Sequence, residues 1–164
     1  MTTERLSMKL TDDMKQVVEG VRLGFVATVC PDGTPNVSPK GTLSVADDDH
    51  LVFADLRSPG TVANLRSNPG MEINVVDVFN RKGYRFKGTA VVHDAGETFD
   101  AFVTFFGKRR LPDAPRRIKA VVVMKVLSAR ALISPGYDDG STTEEAMVAQ
   151  WRGYYLSRHP TRTG

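Results

Sequence analysis

Apolar side chains recur along this chain with two periods, about 3.6 residues in some segments and about two in others, and the changes of period mark out its elements. Behind Thr11 and the acidic pair Asp12 and Asp13, the residues Met14, Val17, Val18 and Val21 fall at i, i+3, i+4 and i+7. That spacing predicts a short amphipathic helix, capped by Thr11 and with acids at the positive end of its dipole. Residues 24–30 and 36–45 read as strands joined by Pro31, Asp32, Gly33, Thr34 and Pro35, where Asp-Gly supplies the backbone freedom of a hairpin turn. Asp47, Asp48 and Asp49 form a polar turn before a third strand over 50–54, rich in β-branched and aromatic residues. Pro59 suits the first turn of a helix over 61–67, with Val62 and Leu65 on one face, and Asn68-Pro69-Gly70 stops it.

A strand over 71–79 follows, and Asn80-Arg81-Lys82-Gly83 reverses the chain into a strand over 84–93. There the alternation puts Tyr84, Phe86, Gly88, Ala90 and Val92 on a core face and Arg85, Lys87 and Thr89 on a wet one. Phe99, Phe102, Val103 and Phe106 lie at helical spacing within 97–107, a stripe suited to core packing. A long β-rich stretch over 118–133 closes the sheet, and a final helix over 143–156 carries Met147, Trp151, Tyr154 and Tyr155 on one face. Strands in hairpin connection with helices between them predict a mainly β (α+β) fold. The expected architecture is an antiparallel six-stranded barrel with short flanking helices, because closure removes exposed edges, rather than a doubly wound parallel sheet.

Composition narrows the class. The 164 residues and 18.0 kDa suit a single domain with one core, and 41% hydrophobic with 25% charged residues is a globular balance. The longest apolar run, at 120–124, ends at Lys125, far short of the ~20 residues of a membrane span. No export signal opens the chain and Cys30 stands alone, so a cytoplasmic location is expected, with no membrane partner. A net charge of +3 is too small to indicate nucleic acid, and no aromatic residues interleave with the basic clusters.

The chemistry is narrowed further by what is missing. There is no Gly-x-Gly-x-x-Gly after a strand, no phosphate loop ending in Gly-Lys-Ser/Thr, and no Gly-x-Ser-x-Gly elbow. His50, His93 and His159 are scattered, so no metal site is expected, and Cys30 has no basic neighbour in sequence to activate it. What remains is a set of hydroxyls, cations and small residues at strand ends: Ser38, Lys40, Gly41 and Thr42, then Asp55, Arg57, Ser58, Thr61 and Asn64. A phosphate monoester is held by charge-assisted bonds from Lys or Arg, with hydroxyls and helix N-terminal amides in support. Arg57, Ser58 and Thr61 occupy such a junction of strand and helix; an ordinary turn followed by a helix cap fits the same residues.

The ordered series Asp32-Gly33-Thr34-Pro35-Asn36-Val37-Ser38-Pro39-Lys40-Gly41, Phe53-Ala54-Asp55, Arg57-Ser58, Asn64-Leu65, Asn68-Pro69 and Gly83-Tyr84-Arg85-Phe86-Lys87-Gly88 resembles the pyridoxamine 5'-phosphate oxidase-like, FMN-binding split-barrel family. The likeness covers roughly residues 12–134. It implies a split barrel that works as a homodimer, with a flavin at each end of the interface touched by both subunits. By this resemblance Ser38, Lys40, Gly41 and Thr42 line the flavin ring and ribityl chain, and Arg57, Ser58 and Thr61 hold the phosphate, with Asn64 beside them. Arg81, Lys82 and Arg85 would come from the partner, and Trp151 would cover the ring. Lys40 or Arg85 could stabilise the reduced flavin near N1 and O2, or Arg85 and Lys87 could pair with Glu72 on the sheet's wet face. The implied function is an FMN-dependent oxidoreductase acting on a small molecule by hydride transfer at flavin N5. Alternatives are an F420-binding reductase on the same barrel, with Arg109, Arg110, Arg116 and Arg117 facing its acidic tail, or a non-catalytic flavin carrier. Relatives of the barrel also bind haem. The chain ends Ser157-Arg158-His159-Pro160-Thr161-Arg162, without the Arg-x-Glu-Phe-type signature of the vitamin-B6 enzymes proper.

Overall fold

A computed structural model describes residues 8–109 and 111–159 of the chain. Thr11 accepts the amide of Met14 at 3.2 Å and caps α1 (Asp12–Val21), whose Met14 and Val18 are buried. β1 (Gly24–Val29) and β2 (Pro35–Lys40) pair antiparallel across a turn in which Gly33 adopts a φ of 84° and Asp32 accepts the Thr34 amide at 3.0 Å. Then come β3 (Ser44–Val45), β4 (His50–Asp55), α2 (Pro59–Ser67), β5 (Gly70–Val76) and β6 (Lys82–His93). The chain continues through α3 (Glu97–Arg109), α4 (Ala114–Arg117), β7 (Ala120–Ile133), a 3-10 turn at Pro135–Tyr137 and α5 (Glu144–Arg158).

The strands form one antiparallel sheet in the order β2-β1-β5-β6-β7-β4-β3. β2 and β3 sit at opposite ends of that order, yet residues 41–43 alone connect them. Laid flat, seven strands would set the outer pair about 29 Å apart at about 4.8 Å per spacing. The connection reaches at most about 14 Å. The sheet must therefore curl until its edges approach, the near closure expected from the hairpin pattern and the split barrel implied by the family resemblance.

There are seven strands rather than six because the run over 36–45 breaks. At the break the Thr42 hydroxyl accepts the Ala54 amide at 2.9 Å and donates to the Ala54 carbonyl at 3.2 Å. A side chain thus takes over the pairing that a continuous strand would have made with its backbone, and the chain steps from one edge to the other.

Val26, Leu43, Phe53, Ile73, Phe86 and Met124 fill the barrel, closed at one end by Met14 and Val18 of α1. A second core lies outside, where Val103, Phe106 and Ala114 of α3 and α4 cover Val52, Ala54 and Val121. β4 is consequently buried on both faces, which anchors the end of it that carries Asp55. The two glycines of β6 are close-approach positions: a Cβ on Gly83 would lie 1.9 Å from the Val75 carbonyl oxygen, and one on Gly88 would lie 1.9 Å from that of Lys125. Among the described residues no helix is long and apolar enough to cross a membrane.

Candidate functional site

Where β2 ends beside the β4–α2 junction, Ser38, Pro39, Lys40, Gly41, Ala54, Leu56, Arg57 and Ser58 line a cleft of about 310 Å³. Five of the residues singled out in the sequence meet here: Ser38, Lys40, Gly41, Arg57 and Ser58. They converge because β2 delivers its last residues to the point where β4, fixed by two cores, hands over to α2. Pro39, Ala54 and Leu56 supply apolar walls that charge and hydroxyl content did not flag.

Lys40 is the organising group. It is only 4% exposed, and its ammonium donates to the Ser38 hydroxyl and, at 2.8 Å, to the Ser58 hydroxyl. Beneath it the Phe53 ring lies 5.7 Å from Nζ, within range of a cation–π contact. Burial holds the Lys40 pKa below the ordinary lysine range, while the charge of Asp55 works against that shift. Because a lysine ammonium has no acceptor, each serine accepts from Lys40 with its oxygen and keeps its own O–H free to donate elsewhere. The cleft thus offers an ammonium and two hydroxyl donors side by side.

The remaining predicted residues on these elements lie behind the cleft. Asp55 is buried and accepts the Ser58 amide at 2.7 Å, which fixes the turn that holds Ser58. Ser58 stands at the N-cap position of α2, but its hydroxyl serves Lys40 and makes no cap bond, leaving the first-turn amides at Gly60 and Thr61 without a side-chain cap. Thr61 and Asn64 are buried; Asn64 donates to the Thr28 hydroxyl at 3.0 Å and lies 3.5 Å from Cys30 Sγ, tying α2 to β1. Thr42 makes the paired bonds to Ala54 given above. Arg57 stays exposed at the cleft mouth.

Residues 10–132 match the pyridoxamine 5'-phosphate oxidase family. The chain belongs to that family. HupZ from Group A Streptococcus is 30% identical with a TM-score of 0.67, the likeness covering 76% of this chain and 95% of that one. An FMN-binding protein from Syntrophomonas wolfei shares the fold at 18% identity and a TM-score of 0.60, over 72% of this chain and 82% of that one. An uncharacterised protein from Methanocaldococcus jannaschii is 30% identical over 92 residues, 55% of this chain; the chain thus spans 60% of the length of that relative.

Within this member of the pyridoxamine 5'-phosphate oxidase family, the other predicted site residues do not line the Lys40 cleft. Arg85 lies 2.9 Å from Glu72 and Lys87 lies 3.6 Å from it, the cross-strand pairing that the sequence left open. Lys82 pairs with Glu144 at 2.6 Å, and the Arg81 guanidinium lies 3.5 Å from the Trp151 ring centroid. These contacts fasten α5 to the β5–β6 turn within one chain. Asp47, Asp49 and His50 also gather, with His50 Nδ1 2.9 Å from Asp47 and 2.7 Å from Asp49, where they close the β3–β4 turn on each other.

Proposed function

We propose that this chain is an FMN-binding flavoprotein, an oxidoreductase of the pyridoxamine 5'-phosphate oxidase family that works as a homodimer. The observation that carries the reading is the buried Lys40 ammonium set between two serine hydroxyls in the cleft wall. A dianionic phosphate monoester offers acceptors alone, and Lys40, Arg57 and the hydroxyls of Ser38 and Ser58 can answer it with cations and O–H groups. The volume of about 310 Å³ falls in the range of small-ligand sites. The fold shared with an FMN-binding protein supports the same choice.

In this reading Lys40 and the two serines fix the phosphate end, Arg57 closes over it from the mouth, and the apolar walls exclude water. When bound, the flavin supplies hydride exchange at N5 with a small substrate. Arg85 is engaged with Glu72, so Lys40 and Arg57 are the cations that line the cleft for the ligand. The outer face of the β1–β2 edge supports pairing of two copies: Phe25, Val29 and Val37 share that face and are 50%, 41% and 62% exposed. Beside them runs an apolar groove of about 470 Å³ that includes Ala27, Pro35, Met71 and Leu127. Exposed apolar surface of this kind is what a second subunit covers.

A second reading, an F420-binding reductase, draws on the cations next to the cleft. The Lys119 amide donates to the Asp55 carbonyl at 2.9 Å, which brings Lys119 and the exposed Arg116 and Arg117 beside the site. Arg109 turns away to Glu19 at 3.5 Å and to the Phe105 ring, and Arg110 lies outside the described residues. Haem would take an axial His, Cys, Met or Tyr, and none lines the cleft.

Parallel titration of ligand-free protein with FMN and F420 separates these readings. FMN binding that disappears in the Lys40→Ala, Arg57→Ala double variant supports the first, and F420 binding weakened by loss of Arg116 and Arg117 supports the second. A folded protein that binds neither overturns both. Binding without turnover by any electron donor would identify a flavin carrier.

A further inference from the structure

α5 is attached to the barrel in an unusual way for a helix of 15 residues, because Met147 is its only buried side chain. Its other anchors reach one turn, between β5 and β6. Glu144 pairs with Lys82, Trp151 carries the Arg81 guanidinium on its face, and Tyr155 meets Phe79 edge to face at 5.9 Å. The preceding 3-10 turn joins the same place, with the Tyr137 hydroxyl donating to the Asn80 carbonyl at 2.6 Å. Tyr154 and Leu156 remain in solvent, 46% and 59% exposed. Such a helix is held by a few side-chain contacts, several of them exposed and electrostatic, rather than by an apolar stripe.

The turn that receives it is strained and incompletely satisfied. Arg81 is a non-glycine residue with a φ of 59°, and its Nε is buried without a hydrogen-bond partner among the described residues. Trp151 satisfies the guanidinium face but accepts no hydrogen bond from it; its own N–H goes to Met147 Sδ at 3.2 Å. An anion arriving at this turn can do what α5 cannot. It can compete with Glu144 for the Lys82 ammonium, whose side chain is 37% exposed, and, as Trp151 lifts away, accept from the Arg81 Nε that α5 leaves buried and unpaired.

We propose that α5 is a releasable strap, and that a phosphate group bound at Arg81 and Lys82 displaces it. Docked, the strap engages both cations and buries one face of Trp151; released, it frees Arg81, leaves Lys82 with only the Tyr137 ring at 4.7 Å among the described residues, and exposes more of Phe79. The proposal rests on the phosphate-ester reading only for the identity of the anion, since the strap and its latch lie in one chain and apart from the Lys40 cleft.

Hydrogen exchange of the α5 amides in the full chain, with inorganic phosphate against sodium chloride at matched ionic strength, tests this. Phosphate is expected to speed α5 exchange beyond what chloride does, and to red-shift the emission of Trp151, the only tryptophan of the chain. Glu144→Gln is expected to speed exchange by roughly two- to fivefold without phosphate, the loss of one exposed ion pair. Arg81→Gln is expected to abolish the phosphate response. Unchanged or slowed α5 exchange with phosphate would overturn the proposal, as would a Glu144→Gln chain as protected as the parent. A Lys40→Met chain that fails to bind FMN yet keeps the phosphate response at α5 would sustain the strap, because its failure and the failure of the cleft reading are read from different signals.

Discussion

Replacing Lys40 by methionine separates the two roles a buried lysine can have, holding the fold and holding a ligand. Methionine follows the lysine stem as far as Cε and lacks only the terminal nitrogen, so the buried channel over Phe53 stays largely filled. What is lost is an ammonium with two neutral hydroxyl acceptors, and both hydroxyls border a cleft where water can replace it. Asp55 keeps its bond to the Ser58 amide at 2.7 Å. The exchange removes a desolvated charge but also takes a cation away from buried Asp55, so the ligand-free protein should lose about 1–3 kcal/mol. That corresponds to a fall in the midpoint of about 2–12 °C for a chain of this size, with the cooperative transition retained. FMN affinity should behave differently. A hydrogen bond from a charged donor contributes about 1.5–3 kcal/mol, which is roughly a 10- to 150-fold rise in Kd. Titration of FMN followed by quenching of its fluorescence, beside a thermal melt of the same samples, reads both quantities. A Lys40→Met protein that melts cooperatively and binds FMN as the parent does would refute the placement of the phosphate. A collapse of the melt would show that Lys40 serves the fold instead.

Three further outcomes follow from the same geometry. Thr42→Val removes both bonds to Ala54 and leaves a buried amide and carbonyl unpaired, so it should cost about 2–4 kcal/mol in urea unfolding, while Thr42→Ser should recover most of that. Gly88→Ala sets a methyl group 1.9 Å from the Lys125 carbonyl oxygen and should destabilise by about 3 kcal/mol or more; an unchanged denaturation midpoint would show that the β6–β7 pair yields there. The depressed pKa of Lys40 has opposite signs for ligand and fold. Below the folded-state pKa the buried charge costs stability, and that cost fades as pH rises toward the unfolded value near about 10.4, so stability gains a positive term from Lys40 in that window. Phosphate-ester affinity falls over the same window as the charge is lost, and a Lys40→Met chain should show neither trend.

The barrel was largely legible because its signals are local. The Asp32-Gly33 turn, the Thr11 cap and the alternation of β6 each depend on residues a few positions apart, and the structure bears them out. The break after Lys40 was not legible, since it depends on Thr42 meeting Ala54, 12 residues along the chain and in another strand. The cleft was legible in its cations and hydroxyls, which stand at strand ends, and not in its hierarchy. Nothing in the string shows that Ser58 gives up its cap for Lys40, that Asp55 turns inward to the Ser58 amide, or that Asn64 faces Thr28. Arg81, Lys82 and Trp151 are separated by about seventy positions at most. Their mutual engagement is a product of where β7 leaves α5, which no short-range pattern records.

The central claim is that the Lys40 cleft grips the phosphate end of a flavin, and the most direct test is the visible absorption spectrum of the purified protein, followed by mass analysis of what it releases on denaturation. The account predicts a yellow protein that releases FMN, and a colourless Lys40→Met, Arg57→Ala variant of the same fold. A folded parent protein that is colourless, releases no flavin or deazaflavin, and stays colourless after exposure to both would contradict it.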